Sequence, residues 1–192
     1  MSLAPEEAAR ANFYALLANL LYQPPDARLM AALAESPALE AEDRRLSQAW
    51  AELCGAAGHA QPDAVRDEFE TAFVGTGRAP ITLYAGAYSA RYTNEIPLAE
   101  LRDELRRLGF ARRAQVGEPE DHVSALLELM RHLIAEGSGL EEQKRVFERW
   151  IQPIAGPLCT AIEASEHTRF YKHVARFANS FLALEQYAFE ML

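Results

Sequence analysis

One periodicity governs what this chain can become. Apolar residues return every three or four positions in segment after segment, and no stretch sustains the alternation of a half-buried strand. The cleanest run puts Val123, Leu126, Leu127, Met130, Leu133 and Ile134 on one helical face, with Gly137-Ser138-Gly139 to stop it. An earlier stripe takes Ala9, Phe13, Leu16, Leu17, Leu20 and Leu21 and ends at Pro24-Pro25. Asp26 is placed to cap a short helix over 26–35. A third helix is expected over 39–57 with Leu46, Ala49, Trp50 and Leu53 inward, and a fourth from Pro62-Asp63 carrying Val65, Phe69, Ala72 and Phe73. Further helices are expected over 87–92 and 97–108. Another buries Val146, Phe147, Trp150 and Ile151 before Pro153 and Gly156-Pro157 bend or break the path. The last aligns Phe170, Val174, Phe177, Phe181, Leu184 and Ala188. The pattern predicts an all-α bundle of about eight to ten helices in a single domain over 1–192.

Two breaks interrupt it. Residues 75–86 hold three glycines and Pro80 among apolar side chains, too apolar a mixture to float in water, so the segment is expected to pack on the body as an ordered loop. A short strand over 81–84 is allowed by its residues but has no evident partner. The second break, 109–117, is more polar and suits a hinge between a lobe at 1–108 and another at 118–192.

Charge narrows the partners. With 28 acidic against 19 basic residues the net charge is −9, which disfavours a nucleic-acid binder because affinity there depends on Lys and Arg meeting phosphates. An acidic surface suits a basic partner, and it also keeps a protein in solution. Cys54 and Cys159 stand far apart in no metal or redox spacing and read as small buried hydrophobes of a reducing compartment. The first residues lack a positive region followed by an apolar run, and the apolar stretch 13–22 is about half of what a bilayer span needs. A cytoplasmic protein with no integral membrane segment is expected.

Catalytic patterns find no support. A di-iron bundle needs Glu-x-x-His pairs, yet the positions three before the five histidines hold Ala56, Pro119, Leu129, Ala164 and Phe170. There is no His-Glu-x-x-His, no Gly-Lys-Ser/Thr and no Gly-x-Ser-x-Gly. No enzyme, no metal and no cofactor is expected. The unusual segment is Glu118-Pro119-Glu120-Asp121-His122, directly before the cleanest helix. Proline and carboxylates suit a first helical turn, which accounts for Pro119, Glu120 and Asp121 without any function. It accounts less well for His122, since a cation is disfavoured at that end. A hydrogen bond from His122 across to the preceding loop is the other reading.

Together these segments resemble the TorD/DmsD family of redox-enzyme maturation chaperones, which includes the NarJ-like proteins. Residues 118–122 match its Glu-Pro-x-Asp-His motif at every specified position. Phe69-Glu70-Thr71-Ala72-Phe73-Val74-Gly75, followed by Pro80, Tyr84 and Tyr88, is similar to its aromatic-x-x-Leu-Phe-x-Gly element, with Ala72 where leucine is usual. The spacing of Trp150, Pro153 and Phe170-Tyr171 also fits. The resemblance implies a chaperone for the catalytic subunit of a molybdopterin-dependent oxidoreductase, held through its twin-arginine leader peptide until cofactor insertion is complete. It further implies that Glu118, Pro119, Glu120, Asp121 and His122, with Phe73, Gly75, Pro80, Tyr84 and Tyr88, form the client-binding site. Asp121 and Glu118 would meet the leader's arginines, His122 would orient Asp121 or contact the peptide backbone, and Phe73, Tyr84 and Tyr88 would line the apolar part. The alternatives are an assembly scaffold that binds the mature domain of a non-exported client, and a small hydrolase or nucleotide-dependent factor using Asp121 and His122. Either a monomer or a dimer is compatible with the sequence.

Overall fold

The computed structural model describes residues 3–75, 77, 79–88, 96–110 and 119–192. Glu118 and residues 111–117 of the polar stretch lie outside the described residues. Among the described residues the chain forms nine α-helical segments and no strand: α1 Pro5–Tyr22, α2 Ala27–Ala34, α3 Arg44–His59, α4 Pro62–Phe69, α5 Ile96–Arg107, α6 Val123–Ala135, α7 Leu140–Val146, α8 Gln152–Ala164 and α9 Phe170–Glu190. One buried cluster runs through them, from Ala11 to Phe189. The bundle is all-α, as the periodicity requires.

Local chemistry sets the boundaries. Asp26 accepts a hydrogen bond from the Leu29 amide at 2.7 Å and starts α2. Asp43 accepts from the Arg45 and Leu46 amides, so α3 begins five residues later than its apolar pattern suggests. The residues before it are held otherwise: the Trp50 indole donates to the Pro37 carbonyl at 3.0 Å. Pro62 opens α4. The path is not broken at Pro153 and Pro157, because Pro153 falls in the first turn of α8 and the helix continues past Pro157 to Ala164. One lost ladder bond is outweighed there by burial of Ile154, Leu158, Cys159 and Ile162. Of the helix expected over 87–92, the structure shows a short 3₁₀ turn at Ala85–Ala87, and residues 89–92 lie outside the described residues.

Two π-turns were not foreseen. Glu70–Val74 prolongs α4, and Phe147–Ile151 joins α7 to α8. Each fits one surplus residue into a helical path, which re-aims the side chains that follow.

The middle of the bundle is made by α1, α6 and α9. Ala9 is exposed and the true inner face of α1 is Ala11, Tyr14, Leu17, Ala18 and Leu21, with Leu20 also fully buried. That face is broad because α1 packs on both α6 and α9, and a helix enclosed on several sides loses its amphipathic stripe. Phe13 sits among Trp50, Phe177 and Phe181 with ring centroids 5.1–5.6 Å away. One polar knot crosses this interior. Glu185 of α9 accepts both forks of Arg10 at 2.7 Å and the Tyr14 hydroxyl at 3.0 Å. Arg10 also donates to Gln143 of α7 at 3.2 Å and lies over the Phe189 ring. Burial and the neighbouring carboxylate push the Tyr14 phenol well above its ordinary pKa, so it remains a donor.

By contrast α5 is lightly anchored. Among the described side chains from 98 on, Leu101 is fully buried, Leu98 and Leu105 are half-buried, and so is Leu108 just beyond the helix. A buried leucine is worth roughly 1.5–3 kcal/mol, whereas an exposed ion pair contributes about 0–1 kcal/mol.

Removing Glu185 takes the acceptor from the buried Tyr14 hydroxyl and leaves Arg10 with Glu7, at 2.8 Å, as its one carboxylate. Glu185→Ala should lower the unfolding free energy by about 3 kcal/mol, read as a shifted urea midpoint. Adding Arg10→Ala should cost clearly less than that again, because the under-paired charge goes with it.

Candidate functional site

The loop that precedes α5 and the segment that precedes α6 are joined by their backbones. Leu83 offers its carbonyl to the Val123 amide at 2.8 Å, and the Ala85 amide donates to the Asp121 carbonyl at 2.9 Å. These two bonds make an isolated antiparallel bridge between Tyr84 and His122. The short extended segment therefore has a partner after all, in the residues before α6. It lacked one in the sequence because the partner is itself too short to show a strand pattern. Ile81 and Leu83 are buried beneath it, and the Ile81 amide donates back to the Ala72 carbonyl at 3.0 Å.

Side chains lock the same loop. The Asp121 carboxylate accepts the Gly86 amide through Oδ2 at 3.2 Å. A Cβ built on Gly86 would lie 3.3 Å from that oxygen, so the glycine permits the close approach. The Tyr88 hydroxyl donates to the Thr82 carbonyl at 2.7 Å. Burial, with a smaller effect from Cys159, pushes the Tyr88 phenol up to about 12. A phenol raised in this way contributes its stability in full below pH 10 and loses it as pH climbs through 12. Gly75 closes the π-turn with φ +64°, and its amide reaches the Glu70 carbonyl at 2.7 Å.

His122 caps α6. Its Nδ1 accepts from the Ser124 amide at 3.3 Å and lies 2.7 Å from the Ser124 hydroxyl. An imidazole that accepts at Nδ1 is the neutral tautomer with its proton on Nε2, which resolves the objection to a cation at this helix end. The backbone bonds that span to the loop belong to its neighbours on either side, Asp121 and Val123. The ring is 8 % exposed and stands edge-on to two tyrosines, with centroids 5.2 Å from Tyr84 and 6.3 Å from Tyr22.

These residues frame a groove of about 840 Å³. Phe69, Phe73 and Val74 come from α4 and its π-turn, Ala79, Pro80, Leu83 and Tyr84 from the loop, Tyr22 from the end of α1, and His122 from the start of α6. Phe73 rests on Phe69 and on Tyr171, whose hydroxyl holds the Leu20 carbonyl at 3.0 Å. Glu68 receives the Phe170 and Tyr171 amides at 3.0 and 2.8 Å, so the groove floor is fastened to the start of α9. Tyr22 and Val74 are half-exposed apolar side chains on its rim.

Of the residues singled out in the sequence, Phe73, Pro80, Tyr84 and His122 share this groove wall. Asp121 turns to Gly86, Tyr88 turns to Thr82, and Glu120 is held fork-to-fork by Arg102 of α5 at 3.0 and 3.1 Å. Pro119 serves the turn by accepting the His122 amide at 3.2 Å. Sequence reasoning passed over Tyr22, Val74 and Arg102. Tyr22 carried one signal, as an aromatic just before the Pro24-Pro25 break and off the apolar stripe. Among the described residues no group of three or more His, Cys, Asp or Glu is arranged to hold a metal, and no helix is long and apolar enough to cross a membrane.

The family model of the nitrate reductase delta subunit matches residues 39–183. The chain belongs to this family. Its members are maturation chaperones of molybdoenzymes, and membership implies the catalytic subunit of such an enzyme as the partner. No curated protein matches the chain. The match takes in the groove's loop, its π-turn and the start of α6, while Tyr22 lies before it.

If Asp121 is first a lock on Gly86, its removal should be felt in stability. Asp121→Ala should lower the unfolding free energy by roughly 1–2 kcal/mol, and Asp121→Asn, which keeps an acceptor, by less than half of that. Paired thermal melts read the difference.

Proposed function

We propose that this family member is a cytoplasmic chaperone that holds the immature catalytic subunit of a molybdopterin-dependent oxidoreductase through its twin-arginine leader. The observation that carries this reading is the aromatic groove in which the Glu-Pro-x-Asp-His segment and the Phe73-to-Tyr84 element meet. A leader offers basic residues followed by an apolar stretch. The groove walls offer Tyr22, Phe73, Val74, Pro80 and Tyr84 to the apolar stretch. Asp121 precedes His122 of the groove wall in the chain and uses Oδ2 for Gly86, so its other oxygen supports a contact with an arginine at the rim. Glu118 is proposed for the second arginine on the motif alone. Binding then needs no change in the bundle, because backbone bonds already shape the groove. Holding the leader delays export until the cofactor is in place, and the chaperone itself does no chemistry.

A second reading follows from the matched family's own description. A nitrate reductase delta subunit suits an assembly scaffold that grips the mature domain of its client and ignores a leader. The two part on one measurement, because a leader reader binds the isolated peptide.

Titration of a fluorescent synthetic leader into the purified chain should give saturable binding. Tyr84→Ala and the double change Tyr22→Ser, Val74→Ser should each weaken it at least about tenfold, or 1.4 kcal/mol, at an unchanged melting temperature. Binding of a peptide in which both arginines are glutamine should fall in the wild type, and fall less once Asp121 is asparagine. Equal binding by all groove variants would remove the groove from the function. Absence of peptide binding alongside capture of the folded subunit would establish the scaffold.

A further inference from the structure

The remaining unusual element is α5, which carries a row of ion pairs to the body above a narrow apolar seam. Among the described residues it forms ion pairs with four partners outside itself. Glu100 meets Arg149 at 2.6 Å, Arg102 meets Glu120 at 3.0 Å, Glu104 meets Arg145 at 3.1 Å and Arg107 meets Glu142 at 3.0 Å. They alternate in sign along α5 and reach three different places: the turn before α6, α7, and the π-turn that follows it. Beneath them, among the described side chains, Leu101 is buried and Leu98, Leu105 and Leu108 are half-covered. The neighbouring α6 is held in the opposite way, with eight residues buried between Val123 and Ile134.

One buried group on that side is left unsatisfied. The Trp150 indole is 3 % exposed, and its Nε1 has no hydrogen-bond acceptor among the described residues. Arg149 lies over the same ring at 5.2 Å while its guanidinium is taken by Glu100 of α5. A buried donor without an acceptor is costly and uncommon in a permanently closed region. A covering that opens would lessen the cost, because the indole then meets water.

We propose that α5 is a charge-latched strap, which lifts from the bundle as a unit without unfolding it and uncovers the side of the π-turn that bears Trp150. The latch strength follows ionic strength, since ion pairs at the surface are screened over about 10 Å at 0.1 M salt and about 3 Å at 1 M. Apolar contacts such as those of α6 strengthen slightly or stay as they are under the same salt. The strap thus separates from the body along a line where two kinds of force meet. Arg102 places one latch on Glu120, two residues before His122 of the groove wall.

Amide hydrogen exchange of the full chain at 50 mM and 500 mM sodium chloride tests this. Protection over 98–108 should fall at least tenfold at the higher salt, with α6 and α9 changing less than twofold. In a Trp50→Phe chain, which leaves Trp150 as the only indole, emission should shift to the red over the same salt range. Glu100→Arg should loosen α5 at low salt, and the exchanged pair Glu100→Arg with Arg149→Glu should restore most of the protection. Protection over 98–108 that ignores salt, or that is lost only together with α6, would overturn the strap. So would an exchanged pair that stays loose while its melting temperature matches the wild type.

Discussion

A buried backbone must pair its amides and carbonyls, and in this bundle that requirement shapes everything around the groove. Residues 79–88 are too apolar to leave the surface of the core and too rich in glycine and proline to join a helix. They can stay only if their polar groups are met. The residues before α6 meet two of them, the Ala72 carbonyl a third, and the Asp121 carboxylate a fourth. Once those bonds exist, Tyr84 and His122 must lie edge to edge, and α4, α6 and the end of α1 must stand around them. The groove is what remains between elements that were brought together for another reason.

The interior knot and the groove divide the labour of α9. Its C-terminal half carries Glu185 to Arg10, a charged pair whose burial ties the first and last helices. Its N-terminal turn is capped from outside by Glu68 and supplies Tyr171 as a support for Phe73. A single helix therefore sets both the stability of the bundle and the position of the groove floor. The first helix joins the same two ends, with Arg10 and Tyr14 in the knot and Leu20 and Tyr22 beside the groove.

The fold was legible because helical burial repeats at short range. Val123 to Ile134 announced α6, and Asp26 announced the start of α2. What stayed hidden was whatever depends on distant partners. The inner face of α1 widened because two helices enclose it, and no local pattern reports how many neighbours a helix has. Asp43 displaced the start of α3 because one side-chain acceptor outweighed an apolar register. The extended segment at 81–84 was visible, while its pairing with residue 122 spans nearly forty positions. The motif residues were conspicuous as a group, but only coordinates separate His122 and Tyr84 on the groove wall from Asp121 and Tyr88, which face backbone groups. Tyr22 joined them through the placement of α1, which neither motif describes.

The π-turn at Glu70–Val74 carries a consequence for how such a groove keeps its shape as the chain gains or loses a residue. A π-turn is a helix with one residue too many, and each residue of a helix turns the face by about 100°. Deleting Thr71 would let α4 run on as an ordinary helix, with its hydrogen bonds intact and its length scarcely changed. Phe73 would then keep its place against Phe69 and Tyr171, because the wide turn exists only to absorb the surplus residue. One codon can thus be gained or lost at the edge of this groove without turning the side chains that build its wall.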